Sequence, residues 1–152
     1  MTNNDVLRSI RFTLDLNDTE VGDLFALGGF PISDTKVVAY LANEDSQGYE
    51  EMEAPELHTF LDGLIIHKRG PKDGPAPKYD RSSIGNNVIL RKLRIAFTLK
   101  DTDVIALLKS VDFRLSKSEL GAMSRKPGHT HYMKCGDQVI RYFLRGLVNY
   151  IR

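Results

Sequence analysis

Apolar residues recur along this chain at the spacing of helices. Val6, Leu7, Ile10 and Leu14 stand at i, i+1, i+4 and i+8, so one helical face carries all four. Ile89, Leu90, Leu93 and Phe97 repeat that pattern further on. A second stripe holds Val21, Leu24 and Phe25, matched by Val104, Leu107 and Leu108. The longest stripe holds Leu57, Phe60, Leu61, Leu64 and Ile65, matched by Ile140, Phe143, Leu144, Leu147 and Val148, and is wide enough to close a core. No stretch alternates convincingly with the period of a strand, so the pattern predicts an all-α protein.

Polar residues punctuate these stripes. Asn3 or Asn4 reads as the N-cap of the first helix, and Asp18 or Asp101 as the cap of the second, because short side-chain acceptors satisfy the free N–H groups there. A third helix starts at Ser33 or Ser116. Ser116 with Glu119 forms a capping box, whereas Lys36 in the first copy cannot return the bond to Ser33. Gly28-Gly29 reads as a helix C-terminus rather than a phosphate loop.

The coincidences have one source. Shifting the chain by 83 residues aligns 3–69 with 86–152 without a gap, and 19 of the 67 positions are identical. They include Asn3/Asn86, Asn4/Asn87, Arg8/Arg91, Arg11/Arg94, Asp18/Asp101, Phe30/Phe113, Tyr49/Tyr132, Phe60/Phe143 and Gly63/Gly146. The expected architecture is two tandem, pseudo-symmetric four-helix repeats, residues 1–69 and 86–152, packed as a pair. Residues 70–85 hold half of all the prolines and read as a linker.

The duplicated Asn-Asn-x-x-Leu-Arg opening, the Pro-rich connector and the closing Phe-Leu-x-Gly-Leu resemble the YehS-like bacterial proteins, a duplicated domain of unknown function. Asn3-Asn4-Asp5-Val6-Leu7-Arg8 is similar to the family's start, and Arg125 to Gln138 to its signature stretch in the second copy. The resemblance implies an all-helical bacterial cytoplasmic protein and brings no activity with it.

Composition narrows the function classes. With 152 residues, 41% of them apolar, the chain can bury a core. Cys135 is the only cysteine, which excludes a disulfide scaffold and fits a reducing compartment. No stretch approaches the roughly 18 apolar residues of a membrane span. The N-terminal residues lack the pattern of a signal peptide, so the expected location is the cytoplasm.

Charge changes the picture more. The 21 basic and 20 acidic residues leave a net +1. Residues 3–69 nevertheless hold five basic and thirteen acidic residues, a net −8, and residues 86–152 hold thirteen and five, a net +8. The acidic copy repels phosphates, so any polyanion would meet the second copy, on a surface including Arg91, Arg94, Lys117, Arg125, Lys126 and Lys134. The order of the first three helices resembles a helix-turn-helix, with 34–41 or 117–124 as recognition helix, although Asp34, Thr35, Lys117 and Ser118 offer little for reading bases.

His129, His131 and Cys135 have the residue types for an open zinc or copper site, yet lack a good fourth ligand, and loop packing explains them as well. Cys135 with either histidine lacks an orienting third group for catalysis. Arg8 and Arg11, repeated as Arg91 and Arg94, are compatible with a phosphate clamp or with structural pairing to Asp15, Asp18 or Asp101, and the acidity of the first copy favours the pairing. Nothing in the pattern calls for a cofactor or an enzyme. The expectation is a protein–protein interaction module, with weak nucleic-acid binding through the second repeat as the alternative, and no membrane partner.

Overall fold

The computed structural model describes residues 1–71, 73–74 and 77–152; Lys72, Pro75 and Ala76 of the linker lie outside the described residues. Among the described residues there are eight helices and no strand. The first repeat contains α1 (Asn3–Leu14), α2 (Asp18–Leu27), α3 (Asp34–Leu41) and α4 (Ala54–Arg69). The second contains α5 (Asn86–Phe97), α6 (Asp101–Lys109), α7 (Lys117–Met123) and α8 (Asp137–Ile151). None of them is long and apolar enough to cross a membrane.

Both units are built on one plan. The longest helix packs against the second, α4 on α2 and α8 on α6, with the first and third helices closing the sides. Leu7, Leu24, Phe60 and Leu64 are buried, as are Leu90, Leu107, Phe143 and Leu147 at the matching positions. In the first core Phe25 meets Phe60 with ring centroids 5.4 Å apart, a tilted pair worth more than its buried area alone.

A glycine sets the spacing of the main helix pair. A Cβ on Gly63 would overlap the carbonyl oxygen of Leu24, and one on Gly146 would lie 2.5 Å from that of Leu107. Only a hydrogen at these positions lets the backbones approach so closely. Gly28 caps α2, and Gly29 after it takes a positive φ of 94°.

Several helix starts differ from the sequence reading. Thr2, not Asn3 or Asn4, caps α1, in a reciprocal box with Asp5. Gly85 occupies the same place before α5 without a side-chain bond. Asn17 and Lys100 precede α2 and α6, so Asp18 and Asp101 are first-turn residues that still favour the positive end of each helix dipole. Ser33 and Ser116 cap α3 and α7 as expected, and only Ser116 has the return bond, its N–H donating to Glu119.

The end of the linker belongs to the first unit, which runs from Met1 to Ile84. Tyr79 packs edge-on against Phe30 at 5.0 Å and donates its hydroxyl to Glu56 at 2.9 Å. Arg81 lies over the Tyr79 ring at 5.7 Å. The second repeat makes a corresponding Phe–Tyr–Arg cluster with the tyrosine and arginine of its own α8: Phe113 stacks, here nearly parallel, on Tyr142 at 4.9 Å, and Arg145 covers that ring at 4.9 Å. At the position of Tyr142 the first repeat has buried Thr59, too small for this job, and the linker supplies the missing ring.

Candidate functional site: two latched loops of opposite charge

The duplicated asparagines act at long range. Asn4 is fully buried. Its Nδ2 donates to the carbonyl oxygens of Tyr40 at 3.0 Å and Glu50 at 2.9 Å, and its Oδ1 accepts the Met52 N–H at 2.8 Å. Asn3 completes the grip by donating to the Met52 carbonyl at 3.0 Å. In the second repeat Asn87 donates to Met123 and Met133, both at 2.9 Å, and accepts the Cys135 N–H at 2.8 Å. Asn86 donates to the Cys135 carbonyl at 3.1 Å.

These bonds hold the loop between the third and fourth helices. A backbone bond pins each loop again, from Glu50 N–H to Ala39 O and from Met133 N–H to Ala122 O, both 3.1 Å. An amide side chain suits this work because it offers two donors and an acceptor to backbone groups that would otherwise be buried unpaired. The loops are thereby fixed at their roots and exposed along their spans.

Their chemistry is opposite. The first loop exposes Glu44, Asp45, Glu50 and Glu51; the second exposes Arg125, Lys126, His129, His131 and Lys134. Of the acidic set Glu50 is taken by Lys36 at 2.6 Å, a bond that raises the Lys36 pKa. Each loop also carries one partly buried aromatic, Tyr49 or Tyr132.

The basic residues expected to share a surface divide into two groups. Arg125, Lys126 and Lys134 sit together on the second loop, and Lys117 and Arg91 are exposed on α7 and α5. Arg94 is largely withdrawn, donating to Asp101 at 2.5 Å, as Arg11 donates to Asp18 at 3.2 Å in the first repeat. That is the structural pairing the spacing predicts.

His129, His131 and Cys135 do not converge. The two rings lie 5.9 Å apart on the surface, with Nδ1 of His129 accepting the His131 N–H at 3.0 Å. Cys135 is fully buried at the position of Met52, and burial, with some help from Asp137, pushes its pKa up to about 12. A thiol held neutral in a core is a poor nucleophile and a poor metal ligand. Among the described residues no group of three or more His, Cys, Asp or Glu side chains could hold a metal ion.

A serine, a histidine and an aspartate do meet elsewhere, unforeseen from the sequence. His58 of α4 is buried, with Nε2 3.2 Å from the Ser82 carbonyl oxygen and Nδ1 3.8 Å from Asp80 Oδ2. The Ser82 hydroxyl donates to Asp80 Oδ1 at 2.5 Å. Its proton therefore goes to the carboxylate, and Nε2 faces a carbonyl that calls for a donor. Ser82 Oγ also lies 3.4 Å from His58 Nε2, but with its proton on Asp80 it is not donating to the imidazole, and the trio clips the linker to the first repeat.

The helix-turn-helix likeness weakens in the structure. The connections 28–33 and 110–116 exceed the about three to four residues of such a turn. At the amino end of α7 the Glu119 carboxylate accepts the Ser116 N–H at 3.0 Å, and this bonding lowers its pKa.

Comparison with known proteins agrees with the duplication. Residues 3–70 and 86–152 each match the family described as "Protein of unknown function (DUF1456)". The chain is 43% identical over 148 residues to "Uncharacterized protein YehS" of Escherichia coli (strain K12), covering 97% of this chain and 94% of that protein. No solved structure matches.

Proposed function

Because the chain belongs to the DUF1456 family, whose description carries no activity, we propose from its geometry that it is a non-catalytic protein–protein interaction module. The observation that carries this reading is the pair of Asn-latched loops, one acidic and one basic, at equivalent places in two copies of a fold. A loop fixed at its roots loses little conformational entropy on binding, so its charges select a partner rather than merely solvate the surface. The reading needs no cofactor. The lone thiol, buried and neutral, fits a reducing cytoplasm.

Nucleic acid is the second reading, favoured by exposed Arg125, Lys126 and Lys134 alone. Glu119 at the amino end of α7 and the net −8 of the first repeat oppose it. Titration of the full chain with polyglutamate and with duplex DNA, each at two salt concentrations, separates the two. The protein-partner reading expects polyglutamate to bind and Arg125→Glu with Lys126→Glu to abolish it. DNA binding that is tighter at both salts, with a slope of about −0.9 per phosphate contacted, would replace it by the second reading.

A further inference from the structure

We infer that the partner of each latched loop is the opposite loop of a second copy of this chain, so that the protein associates head to tail through 43–51 of one molecule and 124–134 of another. The inference rests on the interaction-module reading and adds the identity of the partner.

Three observations carry it. The first is charge complementarity. Glu44, Asp45 and Glu51 on one loop and Arg125, Lys126 and Lys134 on the other are exposed and make no ion pair with described residues of their own repeat. The second is the common frame. Both loops hang from the same bonds, those of Asn4 and Asn87 and the Ala39–Glu50 and Ala122–Met133 backbone pairs, so their roots have matching geometry while their signs are opposed. The third is exposed apolar surface at or leading into each loop. Met133 is 37% exposed on the basic loop, and Val38 is 54% exposed on α3, which leads into the acidic one.

Like-signed loops cannot meet face to face without repulsion, so the contact is heterologous, acidic on basic. The chain as a whole is nearly neutral at +1, and long-range repulsion between copies does not oppose their approach. Exposed ion pairs are individually weak, so the association is reversible and sensitive to salt.

Sedimentation of the full chain tests this. The native protein should self-associate at low salt, and the association should weaken about tenfold or more as salt rises through the range in which the Debye length shrinks to a few ångströms. Arg125→Glu/Lys126→Glu/Lys134→Glu has two acidic loops and should be monomeric alone. So should Glu44→Lys/Asp45→Lys/Glu51→Lys, which has two basic loops. Mixed in equal amounts, the two should associate with each other. Lys109→Glu/Arg114→Glu/Arg141→Glu makes the same net change away from the loops and should still associate as the native chain does.

A native chain that stays monomeric at low salt overturns the inference, as does association abolished equally by the off-loop variant. If such a monomer still binds polyglutamate through Arg125, Lys126 and Lys134, the interaction-module reading stands with a different partner. If it binds neither polyglutamate nor itself, both readings fall together.

Discussion

Asn4 and Asn87 occupy one helical position in the two repeats and grip the backbone 36, 46 and 48 residues further on in each case. Replacing Asn4 by Ala leaves two carbonyls and one N–H without partners in a buried place, and should cost about 2–4 kcal/mol in urea denaturation. Asn87→Ala, in a less buried setting, should cost less. It should also speed hydrogen exchange at the Cys135 amide, which it now holds. An unchanged exchange rate would show that the loop is held without the asparagine.

The aromatic anchors of the long helices give a second expectation. Phe60→Ala and Phe143→Ala each empty a fully buried site and should cost about 3–5 kcal/mol, read from the denaturation midpoint. A loss below about 1 kcal/mol would make that helix peripheral.

Gly63→Ala and Gly146→Ala pit local propensity against packing. Alanine favours a helix over glycine by about 1 kcal/mol, yet its Cβ would press on the Leu24 or Leu107 carbonyl. Separating the helices should dominate and lower the melting temperature in both variants, more for Gly63, where the overlap is deeper. A rise in either would mean that the helices part at little cost.

Cys135 should resist alkylation by iodoacetamide in the native state at pH 8 and react once the chain is unfolded. Burial lifts its pKa from 9.0 to about 12, so the folded state favours the proton. The stability this thiol contributes is complete below pH 9 and falls as pH rises from 9 towards 12. Rapid native-state labelling at pH 8 would place the thiol at the surface.

His58→Leu keeps apolar bulk and removes the nitrogen that faces the Ser82 carbonyl. Trypsin should then cut at Lys78 or Arg81 several-fold faster than in the native chain, because opening of the clip limits cleavage there. Equal rates would show that the segment is held without His58.

What the sequence disclosed follows from how far each interaction reaches. Leu7, Phe60 and their copies lie on periodic stripes, and a period is visible within a dozen residues. The Ser116–Glu119 box and the Arg94–Asp101 pair are as local and equally legible. Asn3 and Asn4 misled because an asparagine before an apolar run has the look of a cap, while its actual partners at Tyr40, Glu50 and Met52 leave no local trace. The burial of Cys135 did leave one: the first copy has Met52 at that position, and an apolar residue there marks the core. The return of Tyr79 and Ser82 to the first repeat left none, since a Pro-rich segment reads alike whether docked or free.

That return moves a boundary that matters during synthesis. The self-alignment ends the first repeat at Arg69, but the ring that packs on Phe30 and the carbonyl that faces His58 arrive only with residues 79–82. A nascent chain released as far as Arg69 still leaves Phe30 and His58 uncovered, and the domain becomes complete when Ile84 has emerged from the ribosome, one residue before the second repeat begins. The segment that separates the two copies in sequence is thus the last piece of the earlier copy to arrive, and an expression boundary between Ile84 and Gly85 should give a more stable first half than one after Arg69.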